Sequence, residues 1–149
     1  MRLSLILATT LAAVSLALGG CQPKMFYIDK GYVQLPAVPG RPAVAYFTLH
    51  GGATDTTLMS VRSDVAIRAE MHESMNTGGM SSMKPLASVD LPAGGAVRFR
   101  PGGKHVMLYD ISPRMVPGRT MPLVFTFTDG GTYAYAAPVI AAGAPTPKE

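Results

Sequence analysis

The sequence predicts an all-β fold, a sandwich or barrel, and three observations carry that expectation. Short β-rich runs recur at intervals of roughly ten residues. Turn signals separate them: Pro39-Gly40, Gly51-Gly52, Pro92-Ala93-Gly94-Gly95, Pro101-Gly102-Gly103, Pro117-Gly118 and Asp129-Gly130-Gly131. Beyond the first twenty residues, no stretch carries a convincing amphipathic helix pattern.

The elements follow in order. Val33 to Leu35 is the first short apolar run. Val44 to His50 alternates Val44, Tyr46, Thr48 and His50 against Ala45, Phe47 and Leu49, so its two faces differ. Thr57 to Arg62, Val65 to Met71, Val97 to Arg100, Val106 to Ile111, Leu123 to Thr128 and Tyr133 to Val139 continue the series. Asp129-Gly130-Gly131, between Phe125-Thr126-Phe127 and Tyr133-Ala134-Tyr135, predicts a terminal hairpin. The segment from Glu70 to Lys84 stands apart. It holds Met71, Met75, Met80 and Met83 around Asn76-Thr77-Gly78-Gly79, with little β-branched content, and reads as a hairpin or loop.

The N-terminus predicts export. Arg2 gives a positive start, and Leu3 to Leu18 is uncharged and apolar, shorter than the roughly 20 residues a spanning helix needs. Leu18-Gly19-Gly20-Cys21 resembles a bacterial lipobox, which implies cleavage before Cys21 and lipidation of its thiol. The expected organisation is therefore a lipoprotein signal peptide over 1–20, a lipidated tether over 21–30, one domain over 31–140 and a flexible, Pro-bearing tail over 141–149. The product would be a monomeric, membrane-anchored lipoprotein facing the periplasm or the cell exterior.

Composition excludes several functions. Cys21 is the only cysteine, so its lipidation leaves no thiol for a disulfide, a redox pair or a nucleophile. A blue copper centre, which needs a cysteine ligand, is excluded by the same count. The formal net charge is only +4, and Arg62, Arg68, Arg98, Arg100, Arg114 and Arg119 are spread singly, which gives no support for nucleic-acid binding.

The chemistry lies in His72, Met83, His105 and Met107, spaced H-x10-M-x21-H-x-M. The chain has three histidines, and this pattern uses two. On a strand His105 and Met107 share a face while Val106 points the other way. Thioethers are neutral and soft, and two of them beside two imidazoles favour copper(I) over zinc(II), which prefers thiolate or carboxylate. Met25, Met71, Met75 and Met80 are auxiliary candidates, and Glu70 and Glu73 could orient the His72 ring. His50, Met59, Met115 and Met121 read as packing or surface residues. No catalytic acid–base pair accompanies the pattern, so an enzyme is not expected. The residues alone leave both a metal site and ordinary packing open.

The spacing resembles the motif of the periplasmic copper chaperone family called PCu(A)C. The likeness extends to Met71-His72-Glu73, Met83-Lys84-Pro85-Leu86 and Pro101-Gly102-Gly103-Lys104-His105-Val106-Met107-Leu108, and covers roughly Gly31 to Val139. The resemblance implies a cupredoxin-like, Greek-key β-sandwich or barrel that holds one copper(I) through His72, Met83, His105 and Met107. It implies delivery of copper to the CuA subunit of cytochrome c oxidase, with a Sco-type thiol protein as a further partner. A copper-sequestering lipoprotein using the same site is the alternative. Two departures stand out. Ser81 occupies a position where members often carry methionine, and residues 141–149 lack the histidines and methionines of some members' tails.

Overall fold

A computed structural model describes residues 24–147. The expected signal peptide, Cys21, Lys148 and Glu149 lie outside the described residues. Strands follow one another as β1 (Tyr27–Gln34), β2 (Ala43–His50), β3 (Thr56–Arg62), β4 (Ala66–Thr77), β5 (Met80–Pro85), β6 (Val89–Leu91), β7 (Ala96–Phe99), β8 (Lys104–Ile111), β9 (Thr120–Phe127) and β10 (Thr132–Ile140). The described residues contain no helix, as the periodicity predicts.

Hydrogen bonding links the strands in the order β5-β4-β8-β7-β2-β1-β10-β9-β3-β6, and β8 also pairs directly with β2. The sheet doubles back so that two layers enclose one core. Parallel pairing of β1 with β10, Val33 opposite Val139, joins the layers. Among the described residues no pairing joins β5 to β6, so the sheet is not closed by hydrogen bonds. Alternation sends Ala43, Ala45, Phe47 and Leu49 inward from β2, and Leu123, Phe125 and Phe127 inward from β9. Phe47 bridges the layers. Its ring stacks on Phe99 at 4.3 Å within its own layer and meets Phe125 of the other edge-on at 4.8 Å.

Three differences from the sequence expectation matter. Strand β1 begins at Tyr27, inside the stretch expected as tether. Tyr27 pairs with His50 and stacks on its ring at 4.1 Å, while His50 Nε2 meets Asp29 Oδ1 at 3.0 Å. Strand β4 does not stop at Met71 but continues to Thr77 and turns through Gly78 and Gly79 into β5. Both glycines have positive φ, 61° and 81°, which suits a two-residue hairpin turn and disfavours residues with a Cβ. The methionine-rich segment is therefore a regular hairpin, with Thr77 opposite Met80 and Ser74 opposite Met83. Strand β6 is the third difference. It has three residues and forms by pairing with the outer edge of β3.

Candidate metal centre

Three adjacent strands, β5, β4 and β8, build the site on the face turned away from the core. Strand β8 divides its residues by alternation: Val106 and Leu108 are fully buried in the core, whereas His105, Met107 and Tyr109 share the other face. Strand β4 pairs antiparallel with it. Arg68 lies opposite Tyr109, Glu70 opposite Met107, and His72 opposite His105. These are three successive rungs on one face, since directly opposed residues share a side. On its other edge β4 places Pro85 opposite His72, and Met83 opposite Ser74, one rung further toward the turn.

The two histidines face each other across the β4–β8 ladder. Their ring centroids are 6.0 Å apart and their planes 20° from parallel. A ring centre reaches an ion through its nitrogen over about 3.2 Å, taking a metal–nitrogen bond of about 2.0 Å. Two such reaches match the observed separation in length, and a tilt of the near-parallel rings would bring a lone pair of each toward one ion. His105 is 6% exposed, and its Nδ1 lies 2.9 Å from the Gly103 carbonyl. A carbonyl only accepts, so Nδ1 carries the proton and Nε2 keeps its lone pair for a metal. The same carbonyl accepts the Ser74 N–H at 3.1 Å, which ties the turn before His105 to β4. The Pro101-Gly102-Gly103 turn, closed by Gly103 N–H to Arg100 O at 3.0 Å, delivers that carbonyl.

His72 is oriented less completely. Its Nε2 stands 3.7 Å from Glu70 Oε2, too far for a hydrogen bond. Its Nδ1 is buried with no hydrogen-bond partner. Leaving such a nitrogen unpaired is costly, and a metal ion is one partner that would satisfy it. The donor set thus fits a metal. Among the described residues no three His, Cys, Asp or Glu side chains group to hold one; the Met107 thioether and the Glu70 carboxylate share the rung beside the two imidazoles.

Met107 lies on the rung next to the histidines, and its sulfur accepts the Tyr109 hydroxyl at 3.5 Å. Met83 differs. It is 56% exposed, on the far side of β4 from Met107. On a flat sheet their Cα atoms would be roughly 16 Å apart, from four residues along the strand and two strand spacings. The register thus brings His72, His105 and Met107 onto adjacent rungs and leaves Met83 outlying.

The same register sets the auxiliary candidates apart. Met71 is 6% exposed in the core. Met75 and Glu73 share its parity on β4, and Met80, opposite Thr77, takes that parity on β5. Glu73 pairs with Lys104 at 2.8 Å on this reverse face. All four lie on the other side of the hairpin from His72, because successive strand residues alternate. Met25 lies before β1 and is exposed. Glu70 is on the site face.

Two residues escaped the sequence reading, Tyr109 and Arg68. The Arg68 guanidinium lies 4.0 Å above the Tyr109 ring centroid and bonds Glu70 Oε1 at 2.8 Å. Burial, then the neighbouring Glu70 carboxylate, raises the Tyr109 phenol above its ordinary pKa of 10.0, with Arg68 opposing. The period of two that joins His105 to Met107 also reaches Tyr109, and was the available signal.

Comparison with known proteins places the chain. The family model described as "LpqE-like: Putative lipoprotein LpqE-like" matches residues 27–139. A relative in Leifsonia xyli subsp. xyli, "Putative lipoprotein Lxx21020", is 28% identical over 149 residues, covering 91% of this chain and 89% of its own. The copper(I)-bound DR1885 protein of Deinococcus radiodurans superposes with a TM-score of 0.60 at 25% identity, covering 87% of this chain and 85% of that one. The copper-bound PCuAC domain from PmoF2 gives a TM-score of 0.64 at 22% identity, over 78% and 92%. The fold is thus the cupredoxin-like β fold of PCuAC domains. With its family model spanning β1 to β10, the chain belongs to the LpqE-like family, of the PCuAC type.

Proposed function

We propose that this protein is an extracytoplasmic copper(I) chaperone, not an enzyme, that carries one ion between His72, His105, Met107 and Met83. The observation that carries the proposal is the opposed His72–His105 pair, with Met107 one rung away and the His105 tautomer set by Gly103. The copper-bound states of the similar DR1885 protein and PmoF2 domain support it. Copper(I) suits the proposed ligands because they are two neutral thioethers and two imidazoles, a soft set with no thiolate or carboxylate among the four. Met83 is the outlying member of the set, on the site face one rung beyond His72 toward the turn. Its exposure makes it the ligand most easily given up to an acceptor.

The proposal extends to the cell. Cys21 carries a lipid anchor, which the lipoprotein name of the Leifsonia relative supports. The anchored protein works outside the cytoplasm and delivers copper to the CuA subunit of cytochrome c oxidase, directly or with a Sco-type thiol protein.

Competition with a chromophoric copper(I) chelator tests the site. One ion per chain is expected, with tight binding lost in His105→Ala and in Met107→Ala. Undiminished affinity in a variant lacking all four ligands would overturn it. Transfer from the loaded protein to an apo CuA fragment tests delivery; no transfer down a favourable affinity gradient would point to sequestration. Cys21→Ser should release the protein from membranes.

A further inference from the structure

We propose that Tyr109 is a positioning residue for the Met107 thioether, held in place by Arg68, which Glu70 in turn anchors. The proposal deepens the copper(I) assignment and rests on it.

Three facing rungs carry the inference. Arg68–Tyr109, Glu70–Met107 and His72–His105 stand in succession on one face of β4 and β8. The first two rungs are bonded to each other, and the second approaches the third. The Tyr109 hydroxyl donates to Met107 Sδ at 3.5 Å. Arg68 lies over the Tyr109 ring at 4.0 Å and bonds Glu70 at 2.8 Å. The other Glu70 oxygen is 3.7 Å from His72 Nε2. The outermost rung is thus bonded to both residues of the middle rung.

The physical consequence concerns the thioether. A methionine side chain has three rotatable bonds, so a thioether ligand must be ordered before it binds. Sulfur has two lone pairs. A hydroxyl donating to one fixes the side chain and leaves the other for the metal. Phenylalanine at this position would keep the ring and its contact with Arg68 but would remove the donor. Tyr109 touches no metal in this scheme. It acts through Met107, as partners that orient metal ligands do.

Tyr109→Phe tests it with two readouts. Copper(I) affinity, measured by chelator competition, should fall about tenfold. In a Met107→Ala background the same change should have no effect beyond twofold, because the residue it acts through is gone. An equal loss in both backgrounds, or no loss in either, would overturn the proposal. The second readout needs no metal. The 13C shift of the Met107 ε-methyl should move toward its conformationally averaged value in metal-free Tyr109→Phe; an unchanged shift would also overturn the proposal. If the wild type bound no copper(I), the chaperone assignment would fall, and the methyl shift would still decide whether Tyr109 orders Met107.

Discussion

His72 and His105 oppose one another across β4 and β8 with their ring centres 6.0 Å apart. This separation exceeds van der Waals stacking and falls within the span of two metal–imidazole bonds. One nitrogen of the pair is held by a backbone carbonyl and another is buried without a partner. The pair is set by sheet register and by a glycine turn.

Two of the proposed ligands, His105 and Met83, should differ in what they do for the metal-free protein. His105 is buried and bonded to Gly103, so His105→Ala should cost about 1–3 kcal/mol of stability. Met83 is 56% exposed, so Met83→Ala should stay within about 0.5 kcal/mol. Urea unfolding without copper measures both. A large loss for Met83→Ala would show that its side chain packs against the fold.

Copper(I) should raise the melting temperature of the wild type, since an ion bound only to the native state stabilises it. Met83→Ala should keep part of that increase, because His72, His105 and Met107 remain on adjacent rungs. Met107→Ala should keep less. Thermal melts of the three proteins with and without one equivalent of copper(I) give the ranking, and a reversed order would contradict the arrangement.

Gly51→Ala should be poorly tolerated. A Cβ there would collide with the Pro92 carbonyl oxygen, and the Gly51 N–H already donates to Gly95 O at 2.8 Å. Neither partner is a flexible side chain. A loss of about 1–3 kcal/mol is expected, read as a lower denaturation midpoint.

Phe47→Ala should be more severe, about 3–5 kcal/mol. The ring is 1% exposed and touches Phe99 and Phe125 in opposite layers. Circular dichroism at ambient temperature should show a partly unfolded population.

Alkaline pH should destabilise the fold. Burial raises the phenols of Tyr32 and Tyr46, helped at Tyr46 by Tyr32, and burial also raises Tyr109. The native state then holds protons that the unfolded chain gives up near pH 10.0, the ordinary value. Stability is therefore full below about that pH and falls as pH rises through the native values. Spectrophotometric titration of the six tyrosines should show a late-ionising group that disappears in denaturant.

The strands were legible where alternation is strong and not where pairing alone decides. Val44 to His50 maps almost residue for residue onto β2, because its inward residues are apolar. Strand β5, Met-Ser-Ser-Met-Lys-Pro, has every residue exposed and no β-branched residue. It is a strand because Gly78 and Gly79 fold it back onto β4, a tertiary effect that propensity does not carry. Tyr27 to Lys30 falls in the stretch expected as tether, which Pro23 opens. The irregularity between Asp29 and Tyr32 breaks the pattern there. At the site, the shared face of His105 and Met107 follows from a period of two. The exclusion of Met71, Met75 and Met80 from that face does not emerge while their segment reads as a loop. It needs the knowledge that β4 runs unbroken through His72.

The division of β8 between core and site makes the strand intolerant of slippage. A shift of one residue against β4 would turn Val106 and Leu108 outward and carry His105 and Met107 into the interior. Such a chain would lose its packing and its metal donors together. Loading with copper(I) would then select correctly registered molecules, and a misfolded copy would be unable to carry the cargo.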